Sequence, residues 1–212
     1  NCAKFARGQI TADDPVINWW SPAYKAIRTC NIFLENYSKC HDKLLENGEL
    51  DHYAYDVHFL RAFYNSLLLE VYGPFVIVDH TVDYSNSSSF PNKRSTVDEC
   101  VKYITDELDT CINRLPENEL IVADDYGRPS KQAAMALKAH VLLWAASPLV
   151  NGNPDYSSFV NKEGKPFVNV GAPDMEKWKA AAAAAKAVID SGKFELFTVK
   201  ADNDNKTVPL GN

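Results

Sequence analysis

Between Asn47-Gly48 and Gly73-Pro74 runs one uninterrupted segment, LDHYAYDVHFLRAFYNSLLLEVY, that leaves the rest of the chain few options. Its residues Leu50, Tyr53, Val57, Leu60, Tyr64, Leu67 and Val71 recur at steps of three and four. That spacing places them on one stripe of an α-helix, and no strand could bury such a set on one face. Glycine suits the left-handed position after a helix and proline cannot continue one, so Gly73-Pro74 marks the stop. Phe59, Phe63, Leu68 and Leu69 lie off the stripe and widen the apolar surface. The helix is therefore expected to pack on two sides.

The same arithmetic predicts four further helices. Trp20, Ala23, Ile27, Cys30, Leu34 and Tyr37 form one stripe, with Pro22 in a first turn that places the regular start close to Ser21. A brief polar link, residues 38–48, joins it to the long helix, so the two are expected to pack antiparallel. Thr96-Val97-Asp98-Glu99 reads as a capping box opening a helix whose stripe is Val97, Val101, Ile104, Leu108, Cys111 and Leu115, ended by Pro116. An alanine-rich helix with Pro129 in its first turn reaches about Ala146, anchored by Leu137, Val141 and Trp144. The last, about Met175–Ser191, is expected to carry Trp178, Ala182, Ala185 and Ile189 inward and to stop at Gly192. Residues 75–78 and 194–197 read as short extended pieces. The Ser/Asn-rich run around Tyr84 and Phe90 is a surface excursion, and residues 147–173 form a long loop.

Helix centres near Ile27 and Arg61 are 34 residues apart, and those near Thr105 and Lys138 are 33 apart. Helical hairpins of about 34 residues are the unit of tetratricopeptide arrays, so the expected fold is all-α, a stack of such hairpins with long loops. Residues 1–15 form a lead-in, 16–197 the helical body and 198–212 a mobile tail.

Such a stack needs a core, and 212 residues of which 46% are hydrophobic provide one. The formal charge of −6 would repel phosphate, and no cluster of Lys or Arg interleaved with aromatics occurs, which argues against nucleic acid as a partner. The five cysteines include no CxxC pair. Cys100 and Cys111, three helical turns apart, are expected to pack on one face as small buried residues. No apolar run approaches the roughly 20 residues that span a bilayer. The opening Asn1-Cys2-Ala3-Lys4 has no leader and reads as that of a processed or truncated chain, with Cys2 lacking the upstream residues of a lipidation signal.

Chemistry-bearing patterns are sparse. His52 and Asp56 share a helix face, but His58 projects away from it and spacing supplies no third metal ligand. HExxH, GxSxG, P-loop and GxGxxG patterns are missing. Asn18-Trp19-Trp20 is the strongest candidate for ligand contact. Adjacent helical residues point about 100° apart, so with Trp20 on the apolar stripe Trp19 faces elsewhere. An indole offers a flat apolar surface to the C–H side of a sugar ring, and a neighbouring amide can bond its hydroxyls. The alternative reading is Trp19 packed against its own chain. Tyr84 is a further candidate in its loop. Arg61 and Arg128, central in packed regions, are expected to be ion-paired, with Gly127 in a positive-φ turn.

Two stretches carry a resemblance. Phe59-Leu60-Arg61-Ala62-Phe63-Tyr64, continued by Leu68-Leu69-Glu70-Val71-Tyr72-Gly73-Pro74-Phe75-Val76, resembles the FLRA…Y…L…YG signature of the SusD/RagB family. Gly127-Arg128-Pro129-Ser130-Lys131-Gln132-Ala133-Ala134, with Ala136-Leu137-Lys138-Ala139 and Leu142-Leu143-Trp144-Ala145-Ala146, is similar to a second motif of that family. Trp20…Tyr24…Ile27…Asn31 resembles its first helix. Proline follows Gly73 directly, one step ahead of its usual place. The resemblance implies a tetratricopeptide-like scaffold and a surface-exposed outer-membrane lipoprotein whose lipid anchor lies outside this sequence. It implies capture of glycan, in some members peptide, for a TonB-dependent SusC-like transporter, without catalysis, cofactor or metal. It also implies that Arg61, Tyr72, Gly73, Gly127 and Arg128 are scaffold residues. Family members are more than twice this length, their carboxyl half adding much of the ligand surface. The rival readings are a tetratricopeptide-type protein adaptor and a helical hydrolase.

Overall fold

A computed structural model describes residues 2–9, 11, 18–39, 49–83, 85, 86, 91, 93–121 and 123–196. Its helices are α1 (Cys2–Ala6), α2 (Trp20–Asn36), α3 (Glu49–Tyr72), α4 (Val97–Ile112), α5 (Lys131–Ala146) and α6 (Met175–Asp190). From α2 onward each helix packs on the next in the chain, as hairpin stacking requires. Among the described residues extended pairing is limited to two isolated bridges, Asn151 with Asn169 and Val160 with Pro166. The all-α hairpin fold expected from periodicity is the fold observed. No described helix is long and apolar enough to cross a membrane.

The best-specified helix is α4. Thr96 and Glu99 cap it reciprocally: the Glu99 backbone N–H donates to Thr96 Oγ1 (3.3 Å) and the Thr96 N–H to Glu99 Oε2 (2.7 Å). Such a cap stabilises by about 1 kcal/mol. Every member of its expected stripe, Val97 through Leu115, is buried, and full burial of each Val, Ile or Leu contributes roughly 1.5–3 kcal/mol.

Three expectations need correction. The start of α5 is Lys131, two residues beyond Pro129, because Ser130 occupies the cap and accepts the Ala133 N–H (3.1 Å). A proline ring has no acceptor with which to do this. In α3 the deepest face is not the apolar stripe, of which only Leu50 is buried, but Ala54, Arg61, Ala62, Asn65, Leu68 and Leu69, while Tyr53 and Val71 are exposed. The helix is sandwiched between α2 and α4, so small side chains and a paired arginine fill its centre. Val57, Leu60 and Tyr64 line an open groove of about 370 Å³ against α2. In α6 the covered position is Ala181; Trp178, Ala182, Ala185 and Ile189 are exposed. The inward row is displaced by one residue, about 100° around the axis.

One side chain ties both ends of residues 147–173 to the flanking helices. Buried Asn151 donates to the Ala146 (3.2 Å) and Asp174 (3.0 Å) carbonyls and accepts from the Asp174 N–H (2.9 Å) and Asn169 Nδ2 (3.0 Å). The loop is thereby fastened between the end of α5 and the start of α6. Of the expected boundaries, part of the 1–15 lead-in carries α1, and the 198–212 tail lies outside the described residues.

Candidate functional site

The end of α3 meets the beginning of α2. Trp19, at the N-cap of α2, makes no side-chain cap bond. Instead Tyr72 Oη, from the last residue of α3, accepts the backbone N–H groups of Trp19 (3.0 Å) and Trp20 (3.1 Å). Two of the four unsatisfied donors of α2 are thus answered by another helix. Gly73, at φ +68°, then turns the chain back into an extended run along α2. That run pairs with side chains rather than with a strand. Tyr24 Oη donates to the Val76 carbonyl (2.9 Å) and accepts the Val76 N–H (3.1 Å), and Asn31 Nδ2 donates to the carbonyls of Val78 and His80 (3.0 Å each). Burial pushes the Tyr24 phenol up to about 12, outweighing the Val76 bond, so it stays neutral.

Between α2 and this run lies a cavity of about 260 Å³. Trp20, Tyr24, Val76, Val78, Val82 and Pro91 give it apolar walls, and Arg28 and His80 are its charged or ionisable members. The Trp20 indole meets Tyr24 (5.0 Å between centroids) and Tyr72 (5.2 Å) edge-on. Arg94 places its guanidinium carbon 5.6 Å from the indole centroid, an arrangement worth about 0.5–1 kcal/mol where solvent reaches it. Asn18 and Trp19 are exposed beside this cluster, Trp19 at 46%.

The two arginines of the family motifs sit elsewhere. Arg61, 6% exposed, donates from Nε and Nη2 to the two oxygens of Glu107 (2.8 Å each) and from Nη1 to Asn31 Oδ1 (2.8 Å) and the Asp79 carbonyl (3.1 Å). His58 Nδ1 lies 3.0 Å from Glu107 Oε2. Burial pushes the Glu107 carboxyl up, but the hydrogen bonds and charges of His58 and Arg61 outweigh it and hold it below the usual carboxylate range. Arg128 binds Asp56 Oδ2 through Nε (2.8 Å) and Nη2 (2.5 Å), reaches Asp125 (3.1 Å) and stacks over Tyr53 (4.6 Å). Here burial dominates and leaves Asp56 above its ordinary value despite Arg128.

The structure therefore brings Asn18, Trp19, Trp20, Tyr72 and Gly73 together, and separates them from Arg61, Gly127 (φ +105°) and Arg128. Tyr84 lies outside the described residues. Asp56, one of the two residues with metal-like spacing, is engaged by Arg128, and no group of three metal donors occurs among the described residues. Sequence reasoning did not single out Arg28, His80 and Arg94, and named Tyr24 only as part of a first-helix resemblance. The four-residue steps of Trp20, Tyr24 and Arg28 mark a common helix face and could have drawn attention to it; nothing local places His80 or Arg94.

A family model described as "Starch-binding associating with outer membrane", of SusD-like type, matches residues 1–143. The solved structure of BT4246 is 30% identical with TM-score 0.80, covering 92% of this chain and 33% of that one. A SusD-like carbohydrate binding protein (BF0978) from Bacteroides fragilis NCTC 9343 is 20% identical with TM-score 0.62, over 86% of this chain and 29% of that one. A crystal structure with xylogluco-oligosaccharide is 16% identical with TM-score 0.57, over 84% and 30%. The chain spans about a third of the length of these relatives. No curated protein matches it.

Proposed function

Because the chain belongs to the SusD-like family of starch-binding proteins associated with the outer membrane, we propose that it is a non-catalytic glycan-binding protein of the cell surface. It captures oligosaccharide and delivers it to a TonB-dependent, SusC-like transporter, and it is held to the membrane by a lipid anchor. The observation that carries this reading is the half-exposed Trp19 beside an aromatic-walled cavity of about 260 Å³. A flat indole packs against the apolar face of a sugar while amide and guanidinium groups bond its hydroxyls. The carbohydrate-binding description of BF0978 and the xylogluco-oligosaccharide of a second fold relative support the ligand class.

Calorimetry against a glycan panel tests it. Binding of at least one oligosaccharide, weakened about ten-fold or more by Trp19→Ala, is the expected result. Silence across the panel together with tight binding of a protein partner would favour a tetratricopeptide-type adaptor, and turnover of any glycan by pure protein would defeat the non-catalytic reading.

A further inference from the structure

The cavity between α2 and the run after Gly73 commits much of its hydrogen-bonding capacity to its own walls. Tyr24 Oη both donates to the Val76 carbonyl and accepts the Val76 N–H. The Val78 and His80 carbonyls are bonded to Asn31, and His80 Nδ1 lies 2.6 Å from Asp79 Oδ1. Glu35, which faces His80, accepts the Thr81 N–H (2.6 Å), and Arg28 has a partner of its own. What the described walls leave to an occupant is mainly apolar: the indole of Trp20, the ring of Tyr24, Val76, Val78, Val82 and Pro91. A sugar ring carries a hydroxyl on nearly every carbon, and each one buried without a partner weakens binding. Outside the cavity the setting differs, since Asn18 and half-exposed Trp19 stand in solvent next to Trp20.

Resting on the glycan-capture reading, we propose that the cavity receives an apolar substituent of the glycan and not a bare sugar ring: an aromatic acid, ester-linked to a sugar that stacks on Trp19. At about 260 Å³ the space exceeds the roughly 150 Å³ apolar cavity that suffices for benzene, so one phenyl ring fits with its ester link. The rings of Trp20 and Tyr24, inclined at 60° with centroids 5.0 Å apart, offer it edge-on and offset contacts. The ester has no donor to satisfy, and its carbonyl remains at the opening, in water.

Ligand-observed NMR with methyl cinnamate, and calorimetry with the panel oligosaccharides bare and mono-cinnamoylated, test it. Methyl cinnamate is expected to bind at about 1 mM or tighter. The cinnamoyl ester of a bound sugar is expected to bind about ten-fold or more tighter than the sugar itself, with a more negative heat-capacity change. Val82→Phe fills the cavity and is expected to abolish methyl cinnamate binding; Val78→Phe reports on the same space should that variant fail to fold. A bare sugar bound as tightly as its ester, silence toward methyl cinnamate, or its binding unaltered in a folded, filled variant overturns the assignment and leaves glycan capture standing. Silence toward every sugar, esterified or not, overturns capture and the assignment with it.

Discussion

Replacing Arg61 by methionine removes four hydrogen bonds at once, two of them to Glu107. Methionine matches the aliphatic stem, so packing loss is small and electrostatics sets the outcome. Glu107, 9% exposed, would keep only His58 at 3.0 Å. Removing one partner of a buried ion pair destabilises by about 3–5 kcal/mol, since the remaining charge stays out of water without compensation. For a chain of this size that corresponds to a fall in Tm of about 6–20 °C. Urea unfolding followed by circular dichroism measures it. Arg61→Met combined with Glu107→Leu removes the stranded charge and is expected to recover more than half of the loss. The pH dependence has a definite sign. In the unaltered protein Glu107 has a depressed pKa, so its contribution is present above the ordinary glutamate range, about 4.3, and is lost as pH falls through the folded value. In Arg61→Met burial is less opposed and the carboxyl titrates higher, so the penalty should shrink as pH is lowered from 7 to about 4. A loss below about 1 kcal/mol, or a double variant no more stable than the single one, would refute the claim that this pair organises the core.

Tyr72→Phe leaves two amides of α2 without their acceptor and is expected to cost about 1–2 kcal/mol, with faster hydrogen exchange at Trp19 and Trp20; unchanged exchange there would remove Tyr72 from the capping role. Burial pushes Cys30 up to about 11 and Cys100 and Cys111 up to about 12. At pH 8 the latter two are thiolate in only about one molecule in ten thousand, so disulfide reagents should leave all three unmodified until the protein unfolds. Prompt modification of Cys100 in the native protein, located by mass spectrometry, would contradict its burial.

Much of this molecule was legible in three-and-four spacing because most of its helices need to hide one face. The α4 stripe and its capping box appeared where they were read, since both depend on residues within a few positions of each other. In α3 periodicity misled, because a helix covered on both sides selects for fit as much as for hydrophobicity: Ala62, Asn65 and Arg61 are deeper than Tyr53 or Val71. The same failure in α6 has a compositional origin, since a run of alanines gives almost no hydrophobic contrast and Trp178 dominated the reading. At the candidate site, Asn18, Trp19 and Trp20 stood out as a local triplet. Arg94 and His80 were not, because their place beside α2 is set by chain reversals more than 40 residues downstream.

The run after Gly73 behaves like a strand whose sheet has been replaced largely by side chains, two of them from α2. Tyr24 and Asn31, seven positions and about two turns apart, hold its carbonyls at matching intervals. Much of the information that fixes this ribbon therefore resides in neighbouring rods rather than in the ribbon's own letters. The backbone of Val76 and Val78 is held by one phenol and one amide whatever side chains those two positions carry. The cavity's lining can thus vary there without renegotiating how the chain folds.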